Sequence, residues 1–277
     1  MTDGRTGGLA RKLPALLALL VPVGAGLLYL SAAGAPGQYI AINSGALIIA
    51  SGWILAGRSP HTLRGRRIMV AVLLALCFVP LLTGPWVNGI ARWLPVGPLS
   101  LHAGSLAFPA IAVLAARDRE FAAPVLLAAI LAASLQPDAA FGFAAVFAAA
   151  GLHDRTRDWR IGLVCIVGFA ASLIMAVRGE LPPQPFVERV IVDAMQLSVA
   201  AGIGLMLAMA AGFALVLFAD PFYTHARFAL AGAWFGFAII ALISHYPGIL
   251  IGYGASPILG FGLALGLSVP PQEDTPS

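Results

Sequence analysis

Apolar residues in this chain come in long unbroken runs, neither alternating as in a half-buried strand nor confined to one helix stripe. Ten runs can be traced, at residues 13–33, 39–56, 68–83, 101–116, 121–135, 139–152, 161–177, 190–218, 228–244 and 249–269. One helical crossing of a bilayer needs about 20 apolar residues, and only helices and closed barrels satisfy their backbone in lipid. The pattern predicts an all-α, polytopic membrane bundle of about ten transmembrane helices. Several runs are shorter than 18 residues and rich in Ala and Gly, as suits helices in a bundle interior or a locally thin membrane. The first run has Arg11 and Lys12 before it and a small-x-small end at Ala33-Gly34-Ala35, as a signal peptide does. Its length exceeds the roughly 7–15 residues of a signal-peptide core, so it reads as a retained first helix.

Composition agrees. Of 277 residues, 60% are hydrophobic and 10% charged, and 31 are glycine; soluble domains carry about 25% charged residues. This excludes a cytosolic enzyme or a nucleic-acid-binding module as the main identity. Cys77 and Cys165 both lie in apolar runs, which argues against a disulfide framework or a zinc site.

The distribution of cations orients the bundle. If the N-terminus is cytoplasmic and the runs alternate, thirteen of the 16 Lys and Arg fall inside, from Arg5 and Arg11 through Arg58, Arg64, Arg66, Arg67, Arg117 and Arg160 to Arg227. Only Arg92, Arg178 and Arg189 fall outside. That asymmetry is the positive-inside pattern. The reading is a cytoplasmic tail over 1–12, one membrane domain over 13–269 with outer loops at 84–100 and 178–189, and a cytoplasmic tail over 270–277. Proline density keeps both outer loops from being plain helices, and Trp86 and Trp93 suit an interfacial belt. The expected location is the bacterial cytoplasmic membrane, crossed many times.

Ionisable groups kept in a membrane bundle at a cost are the first candidates for function. On the outer side or in the bundle these are Asp138, Glu180, Glu188 and Asp193, facing Arg92, Arg178 and Arg189. Such a set suits either a site for an anionic lipid or a structural ion-pair network. Arg189 and Asp193 have the i,i+4 spacing of a helical ion pair. Asp138 opens a run after Gln136-Pro137, where an aspartate can cap a helix. His102 and His245, the outer histidines, read as hydrogen-bonded interfacial side chains. Tyr246-Pro247-Gly248 and the stretch from Gly252 through Tyr253 and Ser256 to Pro257 loosen the last run. Irregular backbone at that depth is tolerated where it is buried or lines a cavity, so a groove is expected there. Gly232-x-x-x-Gly236 and Gly262-x-x-x-Gly266 permit close helix contact.

Three segments then carry a resemblance. Asn88-Gly89-Ile90-Ala91-Arg92-Trp93-Leu94-Pro95-Val96-Gly97, Leu135-Gln136-Pro137-Asp138, and Pro247-Gly248-Ile249-Leu250-Ile251-Gly252-Tyr253-Gly254-Ala255-Ser256 occur in that order. They resemble the SEDS family (shape, elongation, division and sporulation; the RodA/FtsW type), with its R-W-x-x-L-G, Q-P-D-L-G-T and late P-x-x-x-I-S-Y-G-G-S-S patterns. The resemblance implies ten spans with both ends cytoplasmic, and polymerisation of lipid II, an undecaprenyl-pyrophosphate-linked disaccharide, on the outer membrane face. It implies Glu188 as catalytic base, taking the slot of the family's loop aspartate with one gap. It also implies a substrate-binding set of Arg92, Trp93, Gln136, Asp138, Arg189, Tyr253 and Ser256. The leaving pyrophosphate would be neutralised by arginine or by a divalent ion such as Mg or Mn. A single-span, penicillin-binding-protein-like partner is expected. The chain departs from the family where Q-P-S-E-x-x-K would follow the first motif: His102-Ala103-Gly104-Ser105-Leu106-Ala107-Phe108 has neither the acid nor the lysine. The second outer loop is shortened. Two alternatives stay open: a catalytically degenerate scaffold or regulator of an elongation or division complex, or a lipid or solute transporter.

Overall fold

The computed structural model describes residues 3–57, 59–179 and 181–270, with side chains from residue 9 onward. Arg58, Glu180, the side chain of Arg5 and residues 271–277 of the expected C-terminal tail lie outside the described residues. The helices are α1 (Asp3–Ala32), α2 (Gly37–Ala56), α3 (Leu63–Phe78), α4 (Pro80–Thr83), α5 (Ala103–Ala115), α6 (Ala122–Leu135) and α7 (Ala139–Thr156). They continue with α8 (Trp159–Arg178), α9 (Val190–Leu197), α10 (Val199–Phe218), α11 (Thr224–Ile243) and α12 (Ala255–Ser268). A single hairpin, β1 (Trp93–Val96) and β2 (Leu99–His102), pairs antiparallel with Trp93 opposite His102.

Every apolar run carries a helix, with differences that have local causes. α1 begins at Asp3, so residues 3–12 of the expected tail are helical. The run over 190–218 is two helices, because Ser198 is extended and its side chain accepts from Ala201 N, restarting the chain as α10. The first outer loop is not wholly irregular: it folds the β hairpin. Six helical segments are long and apolar enough to cross a membrane: Leu9–Ala32, Gly37–Ala56, Leu63–Thr83, Trp159–Arg178, Val199–Phe218 and Thr224–Ile243. α5, α6 and α12 are apolar but shorter. The chain is an all-α, multi-pass membrane bundle.

Small residues set the packing. α11 lies along α7, and α12 lies against both α5 and α2. A Cβ at Gly232 or Gly236 of α11 would strike the backbone of α7 at Phe147 or Phe143, and one at Gly151 of α7 would strike the Phe228 carbonyl. Gly260 meets the carbonyls of Ser105 and Leu106 on α5, and Gly262 meets Ala50 of α2. Lipid gives helices no hydrophobic reason to associate, so backbone-to-backbone approach of this kind supplies the contact.

The lengths of the core helices hollow out one end. At the other end Arg117 bonds the Leu267 carbonyl of α12 and stacks over Tyr223, just before α11. α5, α11 and α12 are therefore level there. α11 has 20 residues, α5 has 13 and α12 has 14. At 1.5 Å per residue the two short helices stop about 10 Å before α11 does. The hairpin and the irregular segment 244–254 fill that depth.

Candidate functional site

The recessed end gathers the buried polar residues of three helix starts. His102 is the N-cap of α5, its Nδ1 accepting from Ser105 N at 3.1 Å. Asp138 is the N-cap of α7, its Oδ1 accepting from Phe141 N at 3.1 Å. Ser256, in the first turn of α12, accepts from His102 N at 2.7 Å. The two caps face each other, with His102 Nε2 3.0 Å from Asp138 Oδ2. Because Nδ1 is an acceptor, the ring proton of neutral His102 sits on Nε2, aimed at the carboxylate. The approach falls short of a well-formed hydrogen bond, so the buried Oδ2 keeps lone-pair capacity inside the site.

Arg92, just before β1, is buried beside this pair. Its Nε donates to the Gln136 carbonyl at 3.3 Å, and Nη2 donates to the carbonyls of Pro137 and Gly179. Its guanidinium lies 5.3 Å from the ring centre of Tyr246, whose hydroxyl accepts from Ala139 N at 3.2 Å. One cation thus ties together the hairpin, the turn before α7, the end of α8 and the loop before α12. Gly179 is the only residue type that fits at its place, since a Cβ would overlap Pro137 O and the Arg92 side chain.

The second outer loop runs beside the broken last run. Glu188 pairs with Pro247 in an isolated antiparallel bridge, Gly248 N donates to Val187 O at 2.8 Å, and Tyr253 N donates to Phe186 O at 2.7 Å. Glu188 Oε2 accepts from Gln184 N at 2.6 Å. Burial pushes its carboxyl above the ordinary value, opposed by that bond and by the nearby His245 and His102 charges. The next residue, Arg189, is exposed and turns the other way. It stands at a cleft of about 130 Å³ lined by Val190, Met206, Met209, Leu242 and Ile249. Residues 186–189 therefore stand between the irregular segment before α12 and an apolar cleft.

Of the residues singled out from sequence, Arg92, Gln136, Asp138 and Ser256 come together, with Trp93 edge-on to His102 at 6.5 Å. Glu188 is within electrostatic reach of His102 and His245. Gln136 turns its amide away, Nε2 donating to the Cys77 carbonyl. Tyr253 stacks on Tyr39 at 3.7 Å, beside Phe186. The expected Arg189–Asp193 ion pair is not among those formed by the described residues; Asp193 acts electrostatically on Tyr29 instead. Arg189 sits outside α9 in a left-handed backbone, which aims its side chain away from the helix face. Sequence reading passed over Asn43. Buried in α2, it donates to Gly252 O at 2.9 Å and accepts from Gly254 N at 3.0 Å, satisfying the irregular backbone before α12. An asparagine inside an apolar run was the available signal.

A resident divalent ion wants about six oxygen ligands. Among the described residues no three His, Cys, Asp or Glu side chains gather to hold one, and Arg92 supplies positive charge next to Asp138. The described residues therefore form no all-protein cage for a resident Mg or Mn ion.

No family model matches the chain, and no curated protein matches it. Solved structures do. The crystal structure of the Thermus thermophilus rod shape determining protein RodA superposes with a TM-score of 0.63 at 19% identity, over 91% of this chain and 93% of that one. The chain has the RodA fold. An aspartate-to-alanine variant of the same protein gives 0.65 at 18% identity, over 91% and 94%. A chain from a peptidoglycan synthase complex that coordinates polymerization and crosslinking gives 0.57 at 21%, over 91% and 95%. In this RodA fold the site lies where three helix starts meet the loops at 84–100 and 178–189.

Proposed function

We propose that the chain is a divergent SEDS-type protein with a shortened second outer loop. In this reading it has ten spans and cytoplasmic termini, and it polymerises lipid II at the outer face of the bacterial cytoplasmic membrane. The observation that carries the reading is the position of residues 186–189. Glu188 lies within electrostatic reach of His102, which faces Asp138 beside Arg92, while Arg189 heads an apolar cleft. A polyprenyl pyrophosphate needs that combination: an apolar track for its chain, a cation for its phosphates and a base for the sugar hydroxyl that attacks.

Glu188 accepts the proton of the attacking sugar hydroxyl, whose oxygen bonds to the anomeric carbon of the donor while the bond to pyrophosphate breaks. Its partial desolvation makes it a better proton acceptor once ionised. Arg189, exposed at the cleft mouth, meets the phosphates directly. Arg92 is committed to three carbonyls, so it acts through the positive charge it keeps in a low-dielectric pocket, where preorganised charge is most effective. Asp138 and His102 fix the helix starts and the orientation of Arg92's surroundings. Trp93, Tyr253 and Tyr39 offer flat faces for sugar rings.

A second reading, a non-catalytic scaffold for a single-span synthase partner, is favoured by one observation. Phe108, where the family has its lysine, is fully buried against Phe141 at 5.2 Å between ring centres. Reconstituted protein supplied with lipid II separates the two. Glycan strands on a gel support catalysis, and their absence from a folded protein that still binds lipid II supports the scaffold.

A further inference from the structure

The opposite end of the bundle holds a group of arginines that the carboxylates among the described residues do not balance. Arg67 takes Asp118 at 2.7 Å and Glu120 at 2.6 Å, and Arg160 takes Asp158 at 2.8 Å. Arg117 is left with neutral partners: the Ser59 hydroxyl, the Leu267 carbonyl and the face of Tyr223 at 4.1 Å. Arg66 stands in the first turn of α3, seven residues after the Ser59 that Arg117 bonds, and its Nε is buried with no hydrogen-bond partner among the described residues. A partly desolvated cation beside a second one, with a donor left unpaired, is costly unless an anion joins them.

The surrounding backbone adds to the positive potential. Ser59 precedes α3 and Tyr223 precedes α11, so Arg117 stands between two helix starts. The first turns of those helices carry Arg64, Arg66 and Arg67 on α3 and Arg227 on α11. Cations are disfavoured at helix N-termini, which attract anions. The nearest acid to Arg227, Asp220, is 3.9 Å away and almost fully exposed.

We propose that Arg66 and Arg117 form a binding site for a phosphate-bearing anion, separate from the site at the recessed end. The phosphate comes either from a membrane lipid headgroup or from a soluble phosphate, and the two sources are distinguished by experiment. Ser59 and the unpaired Arg66 Nε would donate to the phosphate oxygens, and Tyr223 would back the Arg117 guanidinium.

The test uses the full chain in nanodiscs of phosphatidylcholine, with phosphatidylglycerol or inorganic phosphate added, read by native mass spectrometry and by thermal unfolding. Retention of phosphatidylglycerol that falls about tenfold in Arg66→Gln, with Arg64→Gln as the exposed control left unchanged, supports a lipid headgroup. An Arg66-dependent rise in melting temperature with inorganic phosphate alone supports a soluble source. Arg66→Lys keeps the charge and loses Nε, and an intermediate affinity is expected, so the comparison survives if Arg66→Gln folds poorly. Equal retention by wild type, Arg66→Lys and Arg64→Gln, with no response to phosphate, would overturn the proposal.

Discussion

The His102 imidazole and the Asp138 carboxylate meet at 3.0 Å while each caps a different helix. The contact locks the start of α5 to the start of α7. It sits beside the buried charge of Arg92, and the bond from Ser105 N to Nδ1 leaves the ring proton of neutral His102 on Nε2.

Cap and charge can be separated at Asp138. Asp138→Ala removes the α7 cap, worth about 1 kcal/mol, and also the carboxylate that faces His102 Nε2. Asp138→Asn keeps an oxygen for Phe141 N, loses the charge, and puts an amide NH2 in place of the Oδ2 that faces His102 Nε2. Thermal unfolding in detergent should rank wild type above Asp138→Asn and both above Asp138→Ala. Equal melting temperatures for all three would mean that the cap contributes nothing.

Asn43 carries the irregular segment before α12. Asn43→Ala leaves Gly252 O and Gly254 N unpaired among apolar helices, and a loss of about 1–3 kcal/mol is expected. Asn43→Leu should lose as much despite better hydrophobicity. A chemical-denaturation series in mixed micelles measures this, and a gain in stability from leucine would contradict the assignment.

Two glycines should respond with opposite sign. At Gly236 a Cβ meets the backbone of Phe143 and Ala144 at 2.4–2.6 Å, whereas at Gly204 of α10 nothing lies within 4 Å. Gly236→Ala should cost about 1–3 kcal/mol through overpacking. Gly204→Ala should gain about 0.5–1 kcal/mol by restricting the unfolded chain. The same unfolding measurement reads both.

Acid sensitivity should trace partly to Asp118. The bond from Arg67 holds its carboxyl below the ordinary value of 3.8. Below that value the unfolded chain takes up the proton before the folded one does, so acidification favours unfolding. The pair's contribution is whole above the unfolded value and is lost as pH falls through the folded one. Arg67→Gln should be less stable than wild type near pH 6, and the gap should narrow toward about pH 3. A gap independent of pH would show that Asp118 is not the titrating partner.

The apolar runs were legible because a helix in lipid must be apolar on every face, so each run reports a helix directly. The breaks were less legible. Ser198 ends one helix and starts another through its own side chain, a signal carried by one residue inside an otherwise continuous run. The hairpin at 93–102 was hidden because its prolines and glycines read as loop. At the site, Arg92 and Asp138 stood out as charges with no solvent to hold them. Their partners did not, since Tyr246, Gly179 and the Gln136 and Pro137 carbonyls are chosen by the packing of segments far apart in sequence. Asn43 and the Arg66–Arg117 group depended likewise on which helix ends become neighbours.

The central claim is that Glu188 removes the proton in a glycosyl transfer at the recessed end. Polymerisation of lipid II by wild type and Glu188→Gln, reconstituted side by side across pH, tests it most directly. The account predicts glycan strands from wild type, with a rate that rises through a pH above the ordinary carboxylate range because burial raises the Glu188 carboxyl. It predicts at least a hundredfold loss in Glu188→Gln, about the contribution of a general base, with lipid II binding retained. Equal rates from the two proteins, or a folded wild type that binds lipid II at every pH and makes no strands, would contradict it.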